Sequence, residues 1–253
     1  MNYLVDLRDK HILIIGGLSE IGVKTAETLC KLGASVDIAD IADSVDEDIV
    51  NNLQGEDNHY FQLDVSNIES INTVIKEAVS RYGRYDGMVY SAEEYKHVSM
   101  ETLTPEELKK QFDINYFGFF EAVRQITASD RYNPGMRIVG LSSVASIKGK
   151  EAYSGYSAAK AAMDGAVRAM GIELAPKGIC INTVIAGVID SGAFGDYKDN
   201  VSGDGLDAEI LEERQSLGIG KAEDVAEPIA FLISSASRFI TGQSVVVDGG
   251  YTA

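Results

Sequence analysis

The sequence predicts an α/β fold, a single doubly wound domain built on a seven-stranded parallel sheet with helices on both faces. Three observations predict it. Short apolar runs alternate with amphipathic stretches along the whole chain, the order that buries a parallel sheet under helices. A glycine-bearing turn joins the first apolar run to the first helical stretch. Neither a repeat nor a Pro- or Ser-rich linker divides residues 1–253, and 45% hydrophobic residues suffice for one large core.

The elements read as follows. HILII at 11–15 is a buried strand, 19–32 a helix and 34–39 the second strand, with a weaker helix over the acidic stretch 44–53. A short strand near 59–63, a helix over 67–82 and a strand near 86–91 come next. A long helix is expected over about 105–128. Thr104 is its N-cap, Pro105 sits in its first turn, and Glu106 and Glu107 lie near the positive end of its dipole. Then come a strand at 136–142, a helix at 154–175, a strand at 179–185, a helix at 222–235 and a last strand at 244–248. The Gly-, Asp- and Ser-rich stretch of about 190–220 leaves the carboxyl edge of the sheet, where open α/β sheets bind ligands, and is expected to be a substrate lid.

The bulk chemistry excludes several roles. With 39 Asp and Glu against 22 Lys and Arg, the net charge of -17 opposes nucleic acid and anionic membranes. Cys30 and Cys180 read as buried free thiols, and no His or Cys pair has metal-ligand spacing, so no metal is expected. The first apolar run is too short for a signal peptide or a span, and a cytoplasmic location is expected.

Gly16, Gly17 and Gly22 lie between the first strand and first helix, where glycines let the helix-start N–H groups approach a pyrophosphate. Asp40 ends the second strand. An acid there can accept from the adenosine ribose hydroxyls and repels a 2′-phosphate, so NAD(H) is favoured over NADP(H). Tyr156 and Lys160 are four apart and share one helix face. A lysine beside a phenol favours the phenolate, bringing the Tyr towards working pH as an acid and base for a carbinol oxygen.

Together these residues resemble the classical short-chain dehydrogenase/reductase family, with similarity to 3-oxoacyl-acyl-carrier-protein reductase-like members. The resemblance covers nearly the whole length. Leu141-Ser142-Ser143 precedes Tyr156 at the family spacing, Asp113-Ile114-Asn115 matches the helix segment bearing the family's catalytic Asn, and Asp64-Val65 matches its adenine-contacting pair. Asn182-Thr183-Val184, Gly187 and the ending Val247-Asp248-Gly249-Gly250 match as well.

The resemblance implies a Rossmann-type oxidoreductase that moves a hydride between a nicotinamide and a secondary alcohol or ketone. Tyr156 would be the general acid/base, with Lys160 lowering its pKa and holding the nicotinamide ribose. Ser143 would bind the reacting oxygen, and Asn115 would hold a relay water. The implied cofactor contacts are Gly16, Ser19, Ile21, Gly22, Asp40, Asp64, Val65, Ser91, Ala92, Tyr156, Lys160, Gly187, Ile189 and Ser191. A small-molecule substrate and a homo-oligomer, dimer or tetramer, are the implied partners. Apolar residues on more than one face of the helices at 105–128 and 154–175 favour an oligomer.

Three positions depart from the family. Glu20 replaces the middle glycine of the first turn, the Asn-Asn-Ala-Gly segment reads Tyr90-Ser91-Ala92-Glu93, and the Pro-Gly after the sixth strand reads Ala186-Gly187. Glu20 and Glu93 support an alternative, a binding or scaffold protein of this fold with impaired cofactor binding. The chain length leaves no room for a C-terminal sugar-binding domain, which disfavours the family's extended epimerase branch. Tyr95, Tyr153, Phe194 and Tyr197 are candidate pocket aromatics.

Overall fold

The computed structural model describes residues 5–45, 49, 53, 57–190 and 215–253. The acidic stretch near 46–56, most of the expected lid, and Ser191, Phe194 and Tyr197 lie outside the described residues.

Seven parallel strands form one sheet in the order β3-β2-β1-β4-β5-β6-β7. They are β1 (His11–Ile15), β2 (Ser35–Asp40), β3 (His59–Gln62), β4 (Tyr85–Tyr90), β5 (Tyr132–Ser143), β6 (Cys180–Ala186) and β7 (Ser244–Val247). The helices are α1 (Glu20–Lys31), α2 (Ile68–Tyr82), α3 (Pro105–Phe112), α4 (Phe119–Ile126), α5 (Ser154–Leu174) and α6 (Ala222–Ile233). The chain winds outward through β1, β2 and β3, then returns to place β4 beside β1. That reversal opens a crevice at the carboxyl ends of β1 and β4.

Both faces of the sheet are covered because alternate strand residues feed two separate cores. Leu13, Ile15, Met88 and Ile138 pack with Ile71, Phe119 and Met163 on one side. Ile12, Ile14, Val36 and Val139 pack with Leu29 and Ile229 on the other. Two-sided burial is why these strands read as continuous apolar runs.

The expected helix over 105–128 is interrupted. A π turn, Asp113–Gly118, separates α3 from α4. Its start is as expected, with Thr104 and Glu107 forming a reciprocal cap. Tyr90 packs closely against this turn. The Tyr90 hydroxyl donates to the Ile114 carbonyl at 2.6 Å, and a Cβ at Gly118 would lie 2.5 Å from that hydroxyl. The buried Tyr90 therefore occupies the space that a larger residue at 118 would need. π turns of this kind concentrate at functional sites, and Asn115 lies on this one.

Candidate active site

The first wall is the β1–α1 turn. Gly16 has φ +79°, and a Cβ there would fall 2.2 Å from the Ala92 nitrogen, so only glycine lets the turn press against the segment after β4. Gly22 is needed for a similar reason, since its Cβ would sit 2.5 Å from the Gly16 carbonyl oxygen. Ser19 caps α1 by accepting from the Gly22 N–H at 3.1 Å, and its hydroxyl lies 3.2 Å from that of Ser91. Asp40 ends β2 and accepts from the Leu18 N–H at 2.9 Å and the Ile41 N–H at 2.8 Å. The acid is thereby fixed against the turn. Asp64 is also engaged locally, accepting from the Ser66 N–H and hydroxyl, while Val65 is buried. Glu20 is exposed in the first turn of α1.

The second wall is α5. One helical turn separates Tyr156 from Lys160, and both are buried. Lys160 Nζ donates to the Leu141 carbonyl at 2.8 Å. One further turn along, Asp164 accepts from Ser142 at 3.0 Å and from Thr183 at 2.8 Å, tying the helix to β5 and β6. The spacing of 156, 160 and 164 was legible, but nothing in the sequence marked Asp164 as a buried acid beneath Lys160. Ser143 accepts from the Ala145 N–H at 3.2 Å, capping a short turn. Its hydroxyl also acts on Tyr156 from the β5 side.

The segment after β4 closes the centre. Asn115 grips its backbone twice, accepting from the Glu94 N–H at 3.2 Å and donating to the Glu94 carbonyl at 3.0 Å. It also donates to the Gln111 carbonyl at 2.9 Å. The neighbouring Glu93 carboxylate accepts from the Tyr156 hydroxyl at 3.0 Å and lies 3.4 Å from Lys160 Nζ. The structure thus brings Ser143, Tyr156, Lys160 and Glu93 together, with Asn115 holding the backbone of the adjoining Glu94.

The electrostatics differ from the sequence expectation. Lys160 was expected to bring the Tyr156 phenol towards working pH. Instead Tyr156 is held well above its ordinary value, first by burial and then by the Glu93 charge, with Ser143 acting in the other direction. Burial pushes Lys160 down, while Glu93 and Asp164 oppose that change. The lysine Nζ lies 3.4 Å from the Glu93 carboxylate, so its pull on Tyr156 is offset.

A cleft opens over this centre, bounded by Ile21, Glu93, Ser143, Tyr153, Tyr156 and Gly187. Gly187 is sterically required, because a Cβ would lie 2.7 Å from the Asp248 Cα. The buried Gln215 bonds both the Val188 N–H and carbonyl, and Ile189 bridges to Gly220, fixing the exit from β6. Gln215 was not singled out from sequence, where it lies in the polar stretch read as lid. On the outer rim the Tyr153 hydroxyl bonds Tyr95 and His97, and Lys150 donates to it at 3.3 Å.

A family model described as enoyl-(acyl carrier protein) reductase matches residues 16–252. The chain belongs to the short-chain dehydrogenase/reductase family. It is 32% identical to 1-cyclohexenylcarbonyl-CoA reductase of Streptomyces collinus, across 94% of this chain and 85% of the relative. It is 29% identical to a 3-oxoacyl-[acyl-carrier-protein] reductase of Staphylococcus epidermidis, across 96% and 98%. Among solved structures, a blue fluorescent protein from a metagenomic library in complex with NADPH superposes with a TM-score of 0.89 at 26% identity, covering 98% of this chain and all of that one (100%). The protein is therefore an oxidoreductase of a family that uses nicotinamide cofactors. Among the described residues no helix is long and apolar enough to cross a membrane, and no group of His, Cys, Asp and Glu could hold a metal.

Proposed function

We propose that the protein interconverts a secondary alcohol and a ketone on a small molecule, with Tyr156 as the general acid/base and NAD(H) as the preferred cofactor. The arrangement that carries this reading is the buried Tyr156–Lys160 pair on α5, with Tyr156 and Ser143 lining the cleft and Asn115 clamping the segment after β4.

The residues fit a dinucleotide along most of its length. The close turn at Gly16, the capped start of α1 at Ser19 and Gly22, and Asp40 at the tip of β2 suit a pyrophosphate followed by a ribose diol. Ile21, Asp64, Val65, Ser91, Ala92, Gly187 and Ile189 would contact the dinucleotide in this reading, as would Ser191. A bound nicotinamide would supply or accept the hydride. Tyr156 passes a proton to or from the substrate oxygen, Ser143 holds that oxygen, and Lys160 holds the nicotinamide ribose. Asn115 fixes the β4 exit and supports a relay water. Two of the relatives are named as reductases of acyl-CoA and acyl-carrier-protein substrates, which makes an acyl thioester a reasonable first substrate to try.

A homo-oligomer in the cytoplasm completes this reading. Phe117 and Phe120 are exposed beside Tyr116 on the outer face of the π turn and α4, an aromatic patch suited to a second subunit.

Cofactor titration by nicotinamide fluorescence, with NADH and NADPH side by side, tests the proposal. Because Asp40 is fixed at the ribose end, NADH is expected to bind at least about tenfold tighter, a difference of about 1.4 kcal/mol. Equal or reversed affinities would overturn the Asp40 assignment. Binding of neither nucleotide would favour the scaffold alternative, for which the Glu93 contacts are the supporting observation.

A further inference from the structure

The carboxylate of Glu93 occupies a position that the general acid/base reading does not account for. It is the one carboxylate in contact with both Tyr156 and Lys160 among the described residues. Its placement is built rather than incidental. Ser91 N–H donates to the Ile15 carbonyl at 2.7 Å, Asn115 grips Glu94 on both sides, and Lys110 pairs with Glu94 at 2.7 Å. The backbone on each side of Glu93 is therefore anchored, and its side chain reaches inward to two buried partners.

We propose that Glu93 is a positioning residue for the proton of Tyr156: its carboxylate holds the phenol O–H and shares the charge of Lys160, so that Tyr156 keeps its proton to higher pH than Lys160 alone would permit. The proposal rests on Tyr156 being the general acid/base. The groups facing Tyr156 support it. Glu93 comes from the β4 exit, Ser143 from the β5 exit and Lys160 from α5 itself. The Tyr95 and Tyr153 rings flank it at 5.3 and 6.0 Å, with His97 and Lys150 beyond at the Tyr153 hydroxyl. Lys160 and Lys150 are the cations in this set, and Glu93 directly offsets the nearer one.

The consequence is specific. In ketone reduction the O–H bond of Tyr156 breaks and its proton goes to the substrate oxygen as the carbonyl carbon takes the hydride. The phenolate left behind regains a proton from water. In alcohol oxidation the phenolate must be present first. A catalyst cannot change the equilibrium at a given pH, so Glu93 cannot make the reaction one-way. It instead moves the pH at which both profiles bend, extending reduction and delaying oxidation to higher pH.

The test uses protein labelled with [¹³Cζ]tyrosine, the Tyr156 resonance being identified by its loss in Tyr156→Phe. Glu93→Gln keeps the side-chain shape and removes the charge. It is expected to lower the Tyr156 transition by at least about one pH unit, a tenfold change in proton affinity. Glu93→Asp, whose charge sits one methylene farther back, is expected to fall between Gln and wild type. Far-UV circular dichroism across the range shows that each protein stays folded. In the cofactor-loaded enzyme, the alkaline fall of ketone reduction is expected to move down in Glu93→Gln by a similar amount. A transition within about 0.3 pH unit of wild type, or an unmoved alkaline limb, would overturn the proposal. If wild type binds no nicotinamide nucleotide and reduces nothing, the oxidoreductase reading fails separately, and the titration of free Tyr156 still decides what Glu93 does.

Discussion

Asp37 offers a test of the fold's energetics away from the cleft. It lies in the middle of β2 with no exposed surface. Its carboxyl group accepts from the Tyr85 hydroxyl at 2.5 Å and meets His11 Nε2 and His59 Nδ1, each at 2.9 Å. Four adjacent strands are thus joined through one side chain. The His11 ring stacks on Tyr85 and the His59 ring on Tyr82. Asp37→Ala would strand all three partners. The Tyr85 hydroxyl is fully buried and loses its bond without replacement, at about 1–3 kcal/mol. The histidine side chains are 14% and 24% exposed, so water can satisfy them in part. The expected total is about 3 kcal/mol, which for a chain of this size lowers the melting temperature by roughly 6–12 °C. Differential scanning calorimetry and urea titration read it. In the Asp37→Ala background, Tyr85→Phe should be neutral or stabilising, because it removes the orphaned hydroxyl. A loss under about 1 kcal/mol, or strict additivity of the two substitutions, would refute this account of the node.

Two other outcomes are expected. Glu20 adds a negative charge at the exposed start of α1, so Glu20→Gln should tighten NADH binding by about 0.5–1 kcal/mol at low salt and less at 0.15 M, where the Debye length is about 8 Å; fluorescence titrations whose Glu20→Gln gain is zero or independent of salt would contradict this. Burial, aided by Lys150, depresses His97 to about 4, so the folded protein keeps it neutral while the unfolded chain takes up a proton below about 6.5. Its contribution is present above that value and is lost as pH falls towards 4, so the urea midpoint should fall less steeply over that window in His97→Gln than in wild type, and parallel slopes would contradict the assignment.

Much of this architecture was legible because apolar periodicity and strand-to-helix order are local. The strand set, the Gly16 turn and the Tyr156–Lys160 face follow from spacing alone. What was hidden depends on contacts between distant segments. His11 and His59 look scattered, and only the β1-β2-β3 register brings them to Asp37. The π turn could not be read from the capped start of α3, and the tyrosine that bonds it comes from β4. Glu93 was visible as a departure from the family pattern, but its consequence was not. A departure from the Asn-Asn-Ala-Gly segment suggests impaired cofactor binding, whereas this carboxylate reaches the phenol and the lysine. The pull of Lys160 on Tyr156 was likewise a pairwise inference, and burial together with a third group reversed its net direction.

The central claim is that Tyr156 moves the substrate proton, and substitution of its hydroxyl tests it most directly. A panel of 3-oxoacyl thioesters, secondary alcohols, sugars and hydroxysteroids first identifies a substrate. With that substrate, kcat for Tyr156→Phe is measured beside its NADH affinity. The ring packs against Tyr95 and Tyr153, and those contacts survive the change. The account predicts a fall in kcat of at least about 10²–10⁴, with NADH affinity within about threefold of wild type, roughly 0.6 kcal/mol. Retained turnover in Tyr156→Phe would contradict the account at its centre.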